Sequence, residues 1–331
     1  MRCHVLIHAA CVFCLCAAPL AAAQAGSAPG PLTPSSVDAP PVDDPDSYSP
    51  LLEDARNTVR DSTVWLVRSV DSWFGRQPFE EGGRVYDGRL SLAFLKRQDQ
   101  KVDVDLRFNV QVRMPNAERF AYVFVGRDDP RDVLADTPEA LARQNRLSRE
   151  RNADPSFVAG LGLELPNSVS LRLGMRGGFK PYAQARYSRD WTWDSGTQAA
   201  FRETVFWARS DQLGSTTAVS VEQALSPSLS LRWVGAATVT QVAPKFEWSS
   251  ALGAYQSFGS QRLLSLELLS GGTQGAAVAV PDWGMQVKWA QPIYREWLVA
   301  ELVGGHFWPR PDATQARGRA WAGGGSIKMR F

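Results

Sequence analysis

From Lys101 to Met114, polar and apolar residues alternate for fourteen positions without a break. Successive side chains of a strand point to opposite faces. Lys101, Asp103, Asp105, Arg107, Asn109, Gln111 and Arg113 therefore share one face, and Val102, Val104, Leu106, Phe108, Val110, Val112 and Met114 the other. Strands in soluble proteins usually run about five or six residues. A longer one, charged on one side and apolar on the other, suits a wall between water and lipid.

The period of two persists from Arg84 to the C-terminus. Tyr86, Leu90, Leu92 and Phe94 oppose Asp87, Arg89 and Ser91, and Val169, Leu171, Leu173 and Met175 oppose Ser168, Ser170, Arg172 and Arg176. Further segments are expected over Glu118–Gly126, Phe157–Leu165, Phe179–Asp194, Gln198–Arg209, Thr216–Leu225, Leu229–Val242, Lys245–Ser257, Gln261–Ser270, Asp282–Gln291, Glu296–Trp308 and Arg319–Phe331. The turn signals Pro166-Asn167 and Ser226-Pro227-Ser228 separate four of them. The tally is fourteen strands, with twelve as the alternative if two weak segments are misread; termini on one side of the membrane require an even number. No apolar run of roughly 18 residues follows the first 25 positions, so spanning helices are excluded. A closed antiparallel β-barrel remains as the way to pair every backbone polar group in lipid.

Two stretches leave this pattern. Leu52, Ala55, Val59, Thr63, Leu66, Val67, Val70 and Phe74 recur at three- and four-residue spacing, which predicts an amphipathic helix within 51–76. Its expected place is the periplasm: touching the inner leaflet, plugging the barrel mouth, or packed below the first strand. Between Arg127 and Pro155 the chain opens with Asp128-Asp129-Pro130-Arg131-Asp132 and then reads helical, with Pro138 placed to start a helix carrying Leu141, Gln144 and Leu147. This long connection belongs on the external side. A solvated, mobile loop is the first expectation and a segment folded into the lumen the second.

The N-terminal composition points to export. Arg2, the apolar run Val5–Ala23 and Ala23-Gln24-Ala25 have the form of a cleaved signal peptide over 1–25. Seven prolines among Ser, Ala and Asp make 26–50 a flexible linker, ahead of a barrel over 84–331. All four cysteines lie in the leader, so the mature chain has neither disulfides nor thiolates. Without Arg2 the mature chain carries 35 basic and 34 acidic residues, a balance that with export argues against nucleic acid. Ten of the twelve tryptophans gather near expected strand ends, where indole rings form interfacial girdles, and Trp65 and Trp73 lie near the stripe of the expected helix.

Candidate chemistry is sparse. After the leader the only histidine is His306, grouped by parity with Leu302 and Ala300 near the outer rim, with no serine at a recognisable spacing. One histidine and no cysteine leave no donor set for a transition metal. Asp128 and Asp129 offer hard oxygen ligands for Ca²⁺, but without EF-hand spacing. Gly323, Gly324 and Gly325 lie inside the last strand and predict a bend, a bulge or a close backbone approach. Arg202 and Glu203 are adjacent in a strand, so one of them faces lipid unless a bulge intervenes. Neither an enzyme activity nor a cofactor is expected.

The C-terminal pattern, with Ile327, Met329 and Phe331 on one face, resembles the closing strand of Gram-negative outer-membrane β-barrels. That resemblance implies a terminal signal read by the barrel-assembly machinery. Three stretches, Phe201–Trp207, Asp211–Thr217 and Tyr294–Leu302, resemble a group of uncharacterised proteobacterial outer-membrane proteins. The resemblance implies a barrel and adds no substrate. The expected function is an outer-membrane pore for small solutes, with Arg89, Arg172, Arg232 and Lys288 joining the face of Lys101–Arg113 toward the lumen. The alternative is a non-conducting structural or assembly-related barrel, and the third possibility a lipid-modifying membrane enzyme.

Overall fold

The structure, a computed structural model, describes residues 52–58, 84–113, 121–138, 141, 156–259, 262–295 and 297–331. The expected signal peptide, linker and most of the expected N-terminal helix lie outside these residues. Residues 52–58 are helical (α1).

Fourteen strands follow: β1 Arg84–Arg97, β2 Asp103–Arg113, β3 Ala121–Asp128, β4 Ser156–Leu165, β5 Val169–Arg176, β6 Lys180–Thr192 and β7 Thr197–Ala208, then β8 Gln212–Ser226, β9 Leu229–Thr240, β10 Glu247–Phe258, β11 Arg262–Thr273, β12 Asp282–Tyr294, β13 Leu298–Phe307 and β14 Ala320–Arg330. A second helix, α2, spans Pro130–Ala135 between β3 and β4. Every strand pairs antiparallel with its sequence neighbours, and β1 closes on β14 with Leu90 opposite Met329, Leu92 opposite Ile327 and Phe94 opposite Gly325. Closure removes both sheet edges.

The alternation explains which face is which. Val104 (67% exposed), Leu173 (62%) and Leu302 (63%) belong to an apolar belt that turns outward on every side of the barrel. Soluble surfaces rarely carry contiguous apolar patches larger than a few hundred Å². A continuous belt is stable against hydrocarbon, and the fold is therefore a membrane-spanning β-barrel. Aromatic residues mark both rims. Trp283 stacks on Trp308 at 4.1 Å near the end where β11 joins β12, and Trp191, Trp193, Trp233 and Trp289 lie toward the opposite end.

Inside, glycines make room for aromatic rings from neighbouring strands. A Cβ on Gly162 would meet the Tyr122 ring at 2.1 Å, one on Gly214 the Phe206 ring at 2.4 Å, and one on Gly284 the Phe307 ring at 2.3 Å. Of the three glycines in β14, Gly324 makes a close backbone approach, its absent Cβ lying 2.2 Å from the Phe94 carbonyl oxygen. Pairing there keeps a regular register, so neither a bulge nor a slip interrupts β14. Register shifts occur instead at Val85/Asp87, Ala224/Ser226 and Pro292/Tyr294; the last accommodates a proline that has no N–H for the ladder.

Because the strand count is even, Arg84 and Phe331 lie at one end, with the turns before β5, β7, β9, β11 and β13. We call this the turn end; the connection carrying α2 is at the other, the loop end. At the turn end α1 packs on the outside of the wall. Leu52 joins Tyr294, Trp297, Leu298, Met329 and Leu90, Glu53 pairs with Arg295 at 2.9 Å, and the Arg56 guanidinium lies 5.2 Å from the Trp297 ring centre. Ile327 is exposed on the outer face, whereas Met329 is covered by that cluster and Phe331 folds over Gly88 against Val110 and Val112.

Candidate functional site: the lumen

The connection after β3 turns inward. Asp129 caps α2 by accepting a hydrogen bond from the Arg131 amide, Pro130 opens the first turn, and Asp136 ends the helix in the left-handed region at φ 50°. This helix precedes the one expected from Pro138; of that one Leu141 is helical, its amide donating to the Pro138 carbonyl at 2.9 Å, and the positions of Gln144 and Leu147 lie outside the described residues. Leu134 is buried among Tyr122, Phe124, Val158, Tyr182, Phe206 and Ala208, residues of the inner face of β3, β4, β6 and β7. This overturns the solvated-loop expectation for 129–138. Four aromatic rings turned into the lumen offer apolar surface that water would hydrate poorly, and the loop covers it.

Polar bonds hold the segment to the same wall. Arg176 donates to the Pro130 carbonyl at 3.0 Å, and Gln184 to the Val133 and Leu134 carbonyls at 3.1 and 2.9 Å, satisfying groups that a helix end leaves open. Arg176 is itself fixed by Asp211 and Ser210, at 2.8 and 2.6 Å. Asp211 lies in the β7–β8 turn. Burial raises its pKa, but hydrogen bonds from Ser210 and Arg176 outweigh that and leave the carboxyl below its ordinary value. Farther along, Leu141 (0% exposed) packs with Val234, Ala251, Leu269 and Phe307 of the β9–β13 wall, whereas Leu134 packs on the β3–β7 wall.

Beside this segment lies a cavity of about 690 Å³. Asp128, Asp132 and Asp136, spaced by four residues, line it from the loop side. Arg89, Lys288, Lys328 and Arg330 line it from β1, β12 and β14. Asp103, Arg107, Asn109, Gln111 and Arg172 border it as well. Arg107 is hydrogen bonded to Asp105 and Asp128, and Asp105 is buried in the wall. Asp128 and Asp129 thus have separate tasks, one paired with Arg107 and the other capping α2, and do not converge as Ca²⁺ ligands. Lys101 precedes β2 and is exposed at the loop end. Arg113 ends β2, at the turn end. Arg232, on β9, pairs with Glu222 at 2.9 Å and lies over the Tyr255 ring.

Lys288 belongs to a buried network. Its Nζ lies 3.7 Å from Glu267, whose carboxylate also accepts from Tyr255 at 2.9 Å and from Gln286. Nearby, Arg97 (2% exposed) at the end of β1 pairs with Asp99 at 2.8 Å and with Asp282 of β12, and its guanidinium lies over Phe307. Lys328 pairs with Glu301 at 3.0 Å.

Sequence reasoning picked out Arg172 but missed its companions. Arg186 of β6 and Arg202 of β7 lie on the same inner face, because the register sets Ser170 opposite Arg186 and Arg186 opposite Thr204, while Arg202 faces Ser188. Parity marks each of them once Phe206 is known to point inward; their convergence depends on hairpin register. Glu203 consequently faces outward, where Ser215 and Thr217 donate hydrogen bonds to its carboxylate, Thr217 at 2.6 Å. No bulge intervenes. His306 is also on the outer face, its ring edge-on to Trp308 at 4.3 Å and to Trp321 at 4.5 Å within the loop-end aromatic belt.

No family model matches the chain, and no curated protein matches it in sequence. Among solved structures the chain is similar in fold to the outer membrane channel DcaP of Acinetobacter baumannii, at 10% identity and a TM-score of 0.44, over 75% of this chain and 97% of that one. It is also similar to a loop-deleted OmpT, an outer membrane protein of Vibrio cholerae, at 12% identity and 0.40, over 75% and 99%. A third similar structure is a KdgM porin in complex with disordered oligogalacturonate, at 6% identity and 0.36, over 73% and 99%.

Proposed function

We propose that the protein is a pore of the Gram-negative outer membrane that passes small polar solutes through a lumen narrowed by its own β3–β4 connection. The observation that carries this reading is the charged cavity of about 690 Å³ left beside the inward-folded 129–138 segment. Barrels of this strand number hold a channel that side chains and loops adjust. In this reading residues 1–25 direct export and are removed, Ile327, Met329 and Phe331 present the last strand to the assembly machinery, and the belt of Val104, Leu173 and Leu302 meets lipid. Residues Arg89, Asp103, Arg107, Asn109, Gln111, Arg172, Arg232 and Lys288 form the polar inner wall, with Asp105 buried beside Arg107, Arg113 at the end of β2 and Lys101 at the loop-end rim.

Single-channel recording in planar bilayers tests the reading. The intact chain gives discrete conductance steps, and removing 131–153 enlarges them. Silence from both chains refutes it. One observation favours a second reading, a non-conducting barrel: Leu141 is fully buried against the wall facing α2, as a seal across the lumen requires. A chain that is silent when intact and conducts once trimmed supports that reading.

A further inference from the structure

The contacts of Asp136 describe an ion-binding arrangement as much as a loop anchor. Its carboxylate lies 3.2 Å from Arg186, 3.3 Å from Arg202 and 3.8 Å from Arg172, and Thr204 Oγ1 is 3.4 Å away. The remaining contacts of these arginines are neutral. Arg172 donates to the Tyr122 hydroxyl at 2.9 Å and Arg186 to Ser170 Oγ at 3.1 Å, and the Phe124 ring lies under Arg172. Three guanidinium groups thus converge on one carboxylate, an excess of two positive charges in a wall facing a water-accessible lumen.

Arg–carboxylate pairs of good geometry close to about 2.7–2.9 Å, often through two parallel bonds. The distances here are longer, because one short side chain must serve three donors placed on three different strands. Asp136 also holds a left-handed backbone conformation, which aspartate adopts more readily than most non-glycine residues. Glycine would meet the same requirement at a helix C-terminus but would bring no charge. Aspartate thus meets the backbone requirement and supplies the charge together.

We infer that Arg172, Arg186, Arg202 and the Thr204 hydroxyl form an anion subsite for a solute carboxylate, and that Asp136 is a tethered occupant which the solute displaces. The inference rests on the pore reading for its biological use, though not for its geometry. A competing internal ligand reduces the apparent affinity to the intrinsic affinity multiplied by the fraction of time the site stands empty. A solute with one carboxylate competes poorly. One with two or three reaches more than one of the three guanidinium groups and satisfies donors that Asp136 leaves underused.

The experiment uses the refolded full-length chain in detergent, with folding checked by heat-modifiable gel migration, and citrate as the carboxylate probe beside inorganic phosphate at equal ionic strength. Calorimetry should show citrate binding about tenfold tighter to Asp136→Asn than to the parent chain, and loss of that gain when Arg186→Gln and Arg202→Gln are added. Equal affinity of the parent and Asp136→Asn chains overturns the inference, as does a gain that survives loss of both arginines. Phosphate binding as tight as citrate overturns the carboxylate assignment. If Asp136→Asn fails to fold, Arg186→Gln/Arg202→Gln in the parent background must weaken citrate binding about tenfold, and unchanged binding refutes the site. Bilayer recordings of the same chains separate the two proposals. Citrate binding without conductance overturns the pore and leaves the subsite standing; conductance insensitive to citrate in every variant overturns the subsite and leaves the pore.

Discussion

The inner wall from β3 to β7 and the inner wall from β9 round to β1 arise from the same alternation, yet their polar groups are satisfied in different ways. On the first wall the partners come from a loop. Leu134 fills the space between Tyr122, Phe124, Tyr182 and Phe206, Gln184 bonds to helix carbonyls, and Asp136 meets three arginines. On the second wall the strands bond among themselves: Glu267 with Tyr255, Gln286 and Lys288, Arg97 with Asp282, and Lys328 with Glu301. On the second wall the loop adds only the apolar contact of Leu141, whereas on the first it supplies the polar partners as well. Changes in the second wall should therefore act on the barrel, and changes in the first on the passage.

The largest expected effect breaks the second wall. Lys288→Met leaves Glu267 buried beside two neutral partners, and removing one member of a buried ion pair costs about 3–5 kcal/mol. Urea unfolding followed by tryptophan fluorescence should move to lower denaturant. The paired change Lys288→Met/Glu267→Gln should recover most of the loss, since no uncompensated charge remains. A single variant as stable as the parent would show that this wall is not self-sufficient.

Leu134→Ala probes the first wall. Truncating a buried leucine costs about 2–5 kcal/mol where the site cannot collapse, but here the loss falls on loop docking. Barrel unfolding should stay within about 0.5 kcal/mol of the parent, while channel openings become larger or more frequent. Equal destabilisation of the whole barrel would merge the two walls into one cooperative unit.

These walls also differ in how far the sequence foretells them. The alternation of Val102–Met114 identifies β2 and its faces, because a period of two is local and the difference between lipid and water is large. Paired strands then fix the count of fourteen. Asp136 carries no such local sign. Its role depends on a left-handed turn after a six-residue helix and on the register of three hairpins, and nothing in the order of residues sets those together. The Asp128–Asp132–Asp136 spacing carries no such sign either, since Asp128 ends β3 and Asp136 lies past the end of α2. Glu203 is a similar case: parity sends it outward, and only the neighbouring β8 supplies the Ser215 and Thr217 hydroxyls that make that position tolerable.

A glycine pair sharpens the contrast at smaller scale. Gly162 lies under the Tyr122 ring on the first wall, and valine there forces the ring out of the α2 cluster, at about 1–3 kcal/mol for overpacking. Gly304 on β13 has open space where its Cβ would be. Valine at that outward position should be neutral or slightly stabilising, since β-branched residues suit strands. Channel openings should become more frequent in the Gly162 variant and stay at the parent level in the Gly304 variant, and an equal rise in both would place an unrecognised contact on β13.

The smallest effect is a pH dependence confined to the first wall. Asp211 holds Arg176, which in turn holds the first carbonyl of α2. The Asp211 carboxyl is shifted below its ordinary value, so folding favours its ionised form. Such a group contributes fully above the unfolded carboxylate value of about 3.9 and loses its contribution as pH falls through the lowered folded value. A partly exposed pair of this kind is worth only about 0.2–1 kcal/mol. Opening frequency in bilayers should then rise between pH 7 and pH 3 in the parent chain. In Asp211→Asn, which lacks the ionised partner at every pH, openings should already be more frequent at pH 7 and should gain less on acidification. An identical rise in both chains would assign the acid response to carboxylates other than Asp211, and would leave Arg176 anchoring α2 through Ser210 and the Pro130 carbonyl alone.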